Sequence, residues 1–281
     1  MSQLEPLLLP AELDRLYSRS ISVEASVELA RCTVADVLRG SDDRLLVLCG
    51  PCFVPDTAAC LDYAQWLRQI AEEYKDTLVV LMLVHLGFVS DPYMDGSCAV
   101  NAGLLMARKL LLDINALGLP AAIYIRAPLD TIYVPYLSDL VSWGCMESCG
   151  LASGLPMPVG IYHGSVAATR HPQSYIGVLP TGMLAVVHTL GNEDSHVVLR
   201  DDGPLSEQSP CEPSVVFDCS NSKVLCAKVA LRVNNGCQRI RGAIIESQAR
   251  HPNGERSDCD AVKERLHQLA QSVKARRSTV S

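Results

Sequence analysis

Residues 41–52, SDDRLLVLCGPC, run from two acids through an apolar core (RLLVLC, 44–49) into a Gly-Pro turn. An amphipathic stretch follows at 56–74, and a second apolar run, TLVVLMLV, at 77–84. Strand, helix and strand in that order, with strands apolar throughout instead of alternating, describe parallel neighbours buried on both faces. The pattern continues. Further strands read at 121–126 (AAIYIR), 144–148 (GCMES), 157–162 (MPVGIY), 195–200 (SHVVLR), 214–219 (SVVFDC) and 241–247 (RGAIIES), making eight. Helices read at 99–117, 133–143, 223–236 and 258–276, and a β-like pair at 174–178 and 184–188 predicts a small hairpin before the sixth strand. Eight strands alternating with helices predict an α/β chain folded as a parallel (β/α)8 TIM barrel, in preference to a doubly wound sheet. Residues 41–281 form that barrel, and residues 1–40 a short N-terminal extension with a helix near 22–38. The segment 201–213, DDGPLSEQSPCEP, reads as a loop.

Composition narrows the function classes. With 48% of 281 residues hydrophobic, the core is ample, and no apolar run reaches the roughly 18–20 residues that a membrane helix needs. The start, MSQLEPLLLPAELDRL, has early acids and no basic region, so it does not read as a secretory signal. A net charge of −7 argues against nucleic acid as a partner. The basic run Lys274-Ala-Arg-Arg277 closes the last predicted helix, where cations complement the negative dipole end. The twelve cysteines then read as thiols of a reducing, cytoplasmic compartment, with Cys49, Cys145 and Cys219 as small hydrophobes in or beside strands.

In a barrel of this kind, function lies at the C-terminal ends of the strands: Cys49–Phe53, Val84–Pro92, Arg126–Asp130, Glu147–Gly150, Tyr162–Ser165, Arg200–Gly203, Cys219–Lys223 and Glu246–Gln248. Two motifs there suggest chemistry. Cys49-Gly-Pro-Cys52, between a strand and a helix, has the form of a thioredoxin-type redox pair, although no tryptophan precedes it. Cys145-x3-Cys149 with His163 or His171 offers zinc donors, but the spacing is not a zinc knuckle.

SDDRLLVLCGPC and MARKLLLDINALGLPAA (106–122) closely resemble the type I 3-deoxy-D-arabino-heptulosonate-7-phosphate (DAHP) synthase family. So do DPYMDGSCAVNAGL (91–104), YLSDLVSWG (136–144), LASGLPMPVG (151–160), GNEDSHVVLR (191–200), GAIIESQ (242–248) and LHQLAQSVKARR (266–277), with some phrases closer to fungal members. The resemblance implies a transferase of aldolase type that condenses phosphoenolpyruvate with erythrose 4-phosphate, the first step of the shikimate pathway to the aromatic amino acids. It also implies a divalent metal of the manganese or iron type, held by Cys, His, Glu and Asp, and a homo-oligomer, dimer or tetramer, that uses the N-terminal region. By the same resemblance Cys52 and Glu246 stand at metal-ligand positions and Arg200 at a position that holds the phosphoenolpyruvate phosphate.

The departures are as informative. Leu83 occupies an arginine position, Phe88 a lysine position within a shortened loop, and Tyr162 another lysine position. The arginine-bearing segment after the fourth strand has no counterpart, since Glu147-Ser-Cys-Gly passes directly to LASGL. Asn221-Ser-Lys follows Asp218-Cys-Ser220 where the metal histidine is expected, and only Asp258 or Asp260 remains near the place of the metal aspartate. At about 1.5–3 kcal/mol per charge-assisted hydrogen bond, four absent cations remove on the order of 6–12 kcal/mol of substrate recognition. The sequence therefore predicts a diverged copy, serving a specialised pathway, with impaired activity and an incomplete metal site. A dead enzyme acting through subunit association is one alternative. The other is a barrel refitted for a different small molecule, lined by Phe53, His85, Phe88, Tyr162 and His163. Glu246, if not a ligand, is expected to pair with Arg200 or Arg241.

Overall fold

RLLVLCGP becomes strand β1 (Leu45–Pro51), buried at every position, and so in need of a partner at each edge and a layer on each face. The computed structural model describes residues 5–280 apart from 53, 55, 126–133, 147–148, 163–165, 180, 202–213 and 248–258. Its edges are taken by β2 (Leu78–His85) and β10 (Ile240–Ser247), both parallel to it. Between these, β3 (Ala121–Ile125), β4 (Trp143–Met146), β5 (Val159–Ile161), β8 (His196–Leu199) and β9 (Val215–Asp218) complete a closed eight-stranded barrel. The predicted hairpin is present too: β6 (Ser174–Val178) and β7 (Leu184–His188) pair antiparallel as a separate two-stranded sheet.

Side chains alternate between two cores because strand residues have period two. Leu46, Leu48, Val79, Leu81, Leu83, Ala122, Trp143, Cys145, Val198, Val216 and Ile244 fill the barrel interior. Their neighbours, Leu45, Val47, Cys49, Leu78, Val80, Met82 and Val84 among them, meet the surrounding helices. Those helices include α3 (Thr57–Glu73) and α4 (Val100–Ala116), with α8 (Lys223–Asn234) and α9 (Cys259–Val280) late in the chain. Gly50 has no room for a side chain, since a methyl group there would run into the Leu83 carbonyl oxygen.

The N-terminal segment supplies α1 (Pro10–Leu16) and α2 (Ile21–Arg39). The first was not legible as a separate helix, although Pro10 at its first position and Glu12, whose carboxylate accepts from Leu9 N–H, are ordinary start signals. Val34, Val37 and Leu38 of α2 pack into the interior cluster and cap the barrel at its N-terminal end, while Ile21 and Leu29 stay exposed. Arg108 of α4, only 1% exposed, binds this segment down. Its guanidinium donates to the Tyr17 and Tyr136 carbonyl oxygens and to the carboxylates of Asp14 and Asp139.

One predicted element differs. The stretch 133–143, read as a helix, is a single turn α5 (134–137) and a 3-10 turn (Ser138–Leu140), after which the chain is already extended. Ser142 N–H donates to the Ala121 carbonyl oxygen and Trp143 pairs with Ala122, so the ladder claims residues whose spacing suited a helix. Two short helices, α6 (Cys149–Ala152) and α7 (Val166–Arg170), carry too few residues to have shown a periodicity. The expected loop 201–213 lies almost wholly outside the described residues.

Low in the barrel, Trp143 Nε1 donates to His196 Nε2 at 3.2 Å, and His196 Nδ1 faces the Asp194 carbonyl oxygen at 3.2 Å. These partners select the neutral imidazole with its proton on Nδ1. Burial pushes the His196 pKa down to about 4. An unfolded histidine titrates near 6.5, so between those values the unfolded chain binds a proton that the folded chain does not. Stability from this group is complete above pH ~6.5 and is lost as pH falls towards 4, by about 3 kcal/mol in all. Urea unfolding should therefore show free energy falling by about 2 kcal/mol from this site between pH 7 and pH 5. His196→Asn should flatten that slope, and an unchanged slope would remove His196 from the account.

Candidate active site

Counting upward by two from the interior residues gives the next rung of the barrel, at its C-terminal mouth. That rung holds Gly50, His85, Tyr124, Tyr162, Arg200, Asp218 and Glu246; the corresponding β4 position, Glu147, lies outside the described residues. Two of the three residues predicted for the site, Arg200 and Glu246, are in this rung. The third, Cys52, follows the end of β1, where its backbone N–H donates to the Ser247 carbonyl oxygen at 2.7 Å.

The rung falls into two groups. In one, His85 Nε2 stands 3.0 Å from Glu246 Oε1, off the alignment of a hydrogen bond, with both side chains largely buried. In the other, Arg200 is surrounded. Its Nη2 donates to the Tyr124 hydroxyl at 2.6 Å, its Nε lies 3.5 Å from Asp218 Oδ2, and its guanidinium carbon sits 4.0 Å from the centre of the Tyr162 ring. The Tyr162 hydroxyl donates to the same Asp218 oxygen at 2.6 Å. Edge-on ring contacts between His85 and Tyr124, and between Tyr124 and Tyr162, join the two groups.

Electrostatics follow from these contacts. Burial is the main force holding the Tyr162 phenol well above its usual range, with Cys145 and Asp218 adding to it, so this ring remains a neutral donor. Burial opposes the charge on Arg200, but Tyr124, Tyr162 and Asp218 outweigh it and keep the group above its ordinary value. Arg200 is thus a fixed cation whose charge is already opposed by a carboxylate of its own chain. Its side chain is nevertheless half exposed, so one face is open to the mouth.

Several expectations need correction. Glu246 meets His85, not Arg200 or Arg241, and Arg200 takes Asp218 instead. Phe88 does not line the mouth. It lies in a 3-10 turn (Leu86–Ser90), buried in the outer core that packs against α4, because the shortened loop folds back at once. Leu83 points into the barrel interior, 1% exposed. Phe53 and His163 lie outside the described residues. Asp218 and Tyr124 fall outside the strand-end windows, which begin one residue later on β9 and two residues later on β3. The period-two count places both without further information.

The same geometry bears on the metal ligands. Among the described residues, no three His, Cys, Asp or Glu side chains gather as an ion would require. The described donors do not fit a four-ligand divalent site. Ser220 and Asn221 lead directly into α8, where Ser222 accepts from Leu225 N–H as the helix cap, leaving no length for an inward-pointing histidine. Asp260 sits in the first turn of α9, exposed, and Asp258 is outside the described residues. The zinc reading fails similarly: Cys145 is fully buried inside the barrel and His171 is exposed, while Cys149 and His163 cannot be placed beside them.

A parallel eight-stranded barrel with a polar rung at its C-terminal mouth defines an enzyme scaffold of the (β/α)8 class. The chain belongs to the DAHP synthetase I family, whose profile matches residues 20–278. It is 33% identical to the Tyr-sensitive phospho-2-dehydro-3-deoxyheptonate aldolase of Escherichia coli, over 88% of this chain and 83% of that protein. It is also 33% identical to the Phe-sensitive enzyme of the same organism, over 99% of this chain and 97% of that one. The latter alignment runs over 346 positions although this chain has 281 residues, so parts of that relative have no counterpart here. Among solved structures, the phospho-2-dehydro-3-deoxyheptonate aldolase of Francisella tularensis superposes with a TM-score of 0.85, at 23% identity, over 98% of this chain and 99% of that one, a likeness of fold.

The redox reading of Cys49-Gly-Pro-Cys52 is decided by the two thiols' surroundings. Cys49 faces the helical layer, its Sγ 3.2 Å from the Tyr63 hydroxyl, and burial pushes its pKa up to about 12. Cys52 is exposed. Brief iodoacetamide treatment followed by peptide mapping should find Cys52 alkylated and Cys49 untouched until urea is added. Rapid labelling of Cys49, or a Cys49–Cys52 disulfide in air-exposed protein, would restore the redox reading.

Proposed function

We propose that this chain is a DAHP synthase-family protein with impaired activity in the family reaction, the condensation of phosphoenolpyruvate with erythrose 4-phosphate. One observation carries the reading: Arg200, the surviving substrate arginine, is already engaged by Tyr124, Asp218 and Tyr162. A phosphate entering the mouth must compete with the Asp218 carboxylate, and Leu83, Phe88 and Tyr162 supply no second cation. Phosphoryl recognition needs several convergent cations, because each contact is worth about 1.5–3 kcal/mol and a tenfold loss of affinity corresponds to about 1.4 kcal/mol. Of the family's metal-ligand positions, Cys52 and Glu246 keep a donor among the described residues, too few for a four-ligand site. A cytoplasmic location is part of the same proposal, and no described helix is long and apolar enough to cross a membrane.

With saturating substrates and added manganese, purified protein should form DAHP at less than a hundredth of the turnover typical of enzymes, about 10 per second. Elemental analysis after dialysis against a weak chelator should find well under one metal per chain. Turnover near the typical value, together with stoichiometric metal that disappears in Cys52→Ala, would overturn the proposal.

A role through subunit association is a second reading, favoured by exposed apolar residues. Ile21 and Leu29 on α2, and Ile176 and Leu184 on the hairpin, are each at least two-thirds exposed. Light scattering at micromolar concentration should give a dimer or tetramer, and a clean monomer would refute it.

A further inference from the structure

The face of the barrel opposite the mouth gathers several arginines around the loop that joins α2 to β1. Arg39, Arg44, Arg241, Arg276 and Arg277 are among the arginines at this end. Three have carboxylate partners. Arg39 binds Asp194, Arg44 grips Asp42 through Nε and Nη2, and Arg277 holds both oxygens of Asp43 at 2.6 Å each. With Asp42 and Asp43 so engaged, Arg241 and Arg276 have no carboxylate partner among the described residues.

Both unpaired guanidinium groups meet the same short loop. Gly40, in the left-handed conformation (φ 86°) that ends α2, lies directly beneath Arg241, since a methyl group there would collide with Nη2. Three residues on, the Asp43 carbonyl oxygen accepts from Arg276 Nη2. Arg276 is 3% exposed, yet its Nη1 is buried with no partner, and Arg241 Nε is likewise buried and unsatisfied. A buried donor without an acceptor is costly, and two such donors on neighbouring cations more so. The negative end of α2 offers Arg241 a fraction of a charge, which cannot balance two cations. Burial foremost, and then repulsion by Arg276, lowers the pKa of Arg241; Arg276 is lowered by burial, with Arg277 adding to it against Asp43.

We propose that Arg241 and Arg276 form an anion site on the N-terminal face of the barrel, taking a small tetrahedral oxyanion. Its ligand is free phosphate or the phosphoryl group of a phosphate monoester, whose several oxygens can accept from both guanidinium groups at once. The site is independent of the mouth and of whether DAHP is made.

Thermal unfolding and isothermal titration test it, with sodium phosphate compared against sodium chloride at equal ionic strength. Phosphate should raise the Tm of the wild-type protein by several degrees, because a ligand bound only to the folded state stabilises it by mass action. Arg241→Met should weaken phosphate binding at least tenfold. Without phosphate, the same variant should match or exceed the wild-type Tm, because it removes a repulsive buried charge. Arg200→Gln should leave the phosphate shift unchanged, which separates this site from the mouth. Glycerol 3-phosphate binding more tightly than inorganic phosphate assigns the monoester, and the reverse order assigns free phosphate. Equal Tm in phosphate and chloride, or an equal phosphate shift in wild type and Arg241→Met, would overturn the proposal.

Discussion

Strand β1 must satisfy two neighbours that lie far apart in the chain, β2 immediately after it and β10 nearly two hundred residues later. The β1–β10 ladder, from Leu46↔Gly242 to Pro51↔Ser247, is the seam that closes the barrel. Much else depends on its register. It sets which residues point inward on both strands, and it places Glu246 beside Gly50 and Cys52 beside Ser247. A slip by one residue would exchange the inner and outer sets, sending Leu46, Leu48 and Ile244 out among the helices. The glycines of the seam protect it: a side chain at Gly50 would strike the Leu83 carbonyl oxygen, and one at Gly242 the Leu46 carbonyl oxygen.

How much of this was legible depended on the kind of signal. Continuous apolar runs such as LLVLC and LVVLMLV announced buried parallel strands directly, and the order of strands and helices then left one architecture. The stretch 133–143 misled because its apolar spacing suits a helix, while the decisive demand, the ladder of Trp143 with Ala122, comes from a residue twenty-one positions earlier. At the site, the positions of Arg200 and Glu246 could be read, but their partners could not. Whether Glu246 meets an arginine or a histidine depends on which strands are neighbours around the ring, and β2 and β10 both flank β1 only once the barrel has closed.

The mouth also shows how a half-exposed arginine can be held in place without leaving a hole. Once Tyr162 occupies a position where the resemblance places a lysine, its ring lies under the guanidinium of Arg200 and its hydroxyl satisfies Asp218. A lone arginine beside a buried carboxylate is thereby held in a fixed arrangement, with Tyr124 closing the other side. Replacing Tyr162 alone by lysine would add a second cation but remove the stacking surface under Arg200 and the hydroxyl donor to Asp218. At the Leu86–Ser90 turn nearby, Phe88 belongs to the outer core and not to the mouth.

The indole of Trp143 has a consequence for observing this protein. One of only two tryptophans in the chain, it is fully buried inside the barrel with its N–H committed to His196, whereas Trp66 lies in the outer layer against Tyr63. Its emission therefore reports on the interior of the barrel separately from the helical shell. A buried tryptophan emits at shorter wavelength than one in water, so entry of solvent at the N-terminal end should shift the Trp143 component to the red. With Trp66→Phe as the only substitution, the barrel becomes its own optical sensor of opening.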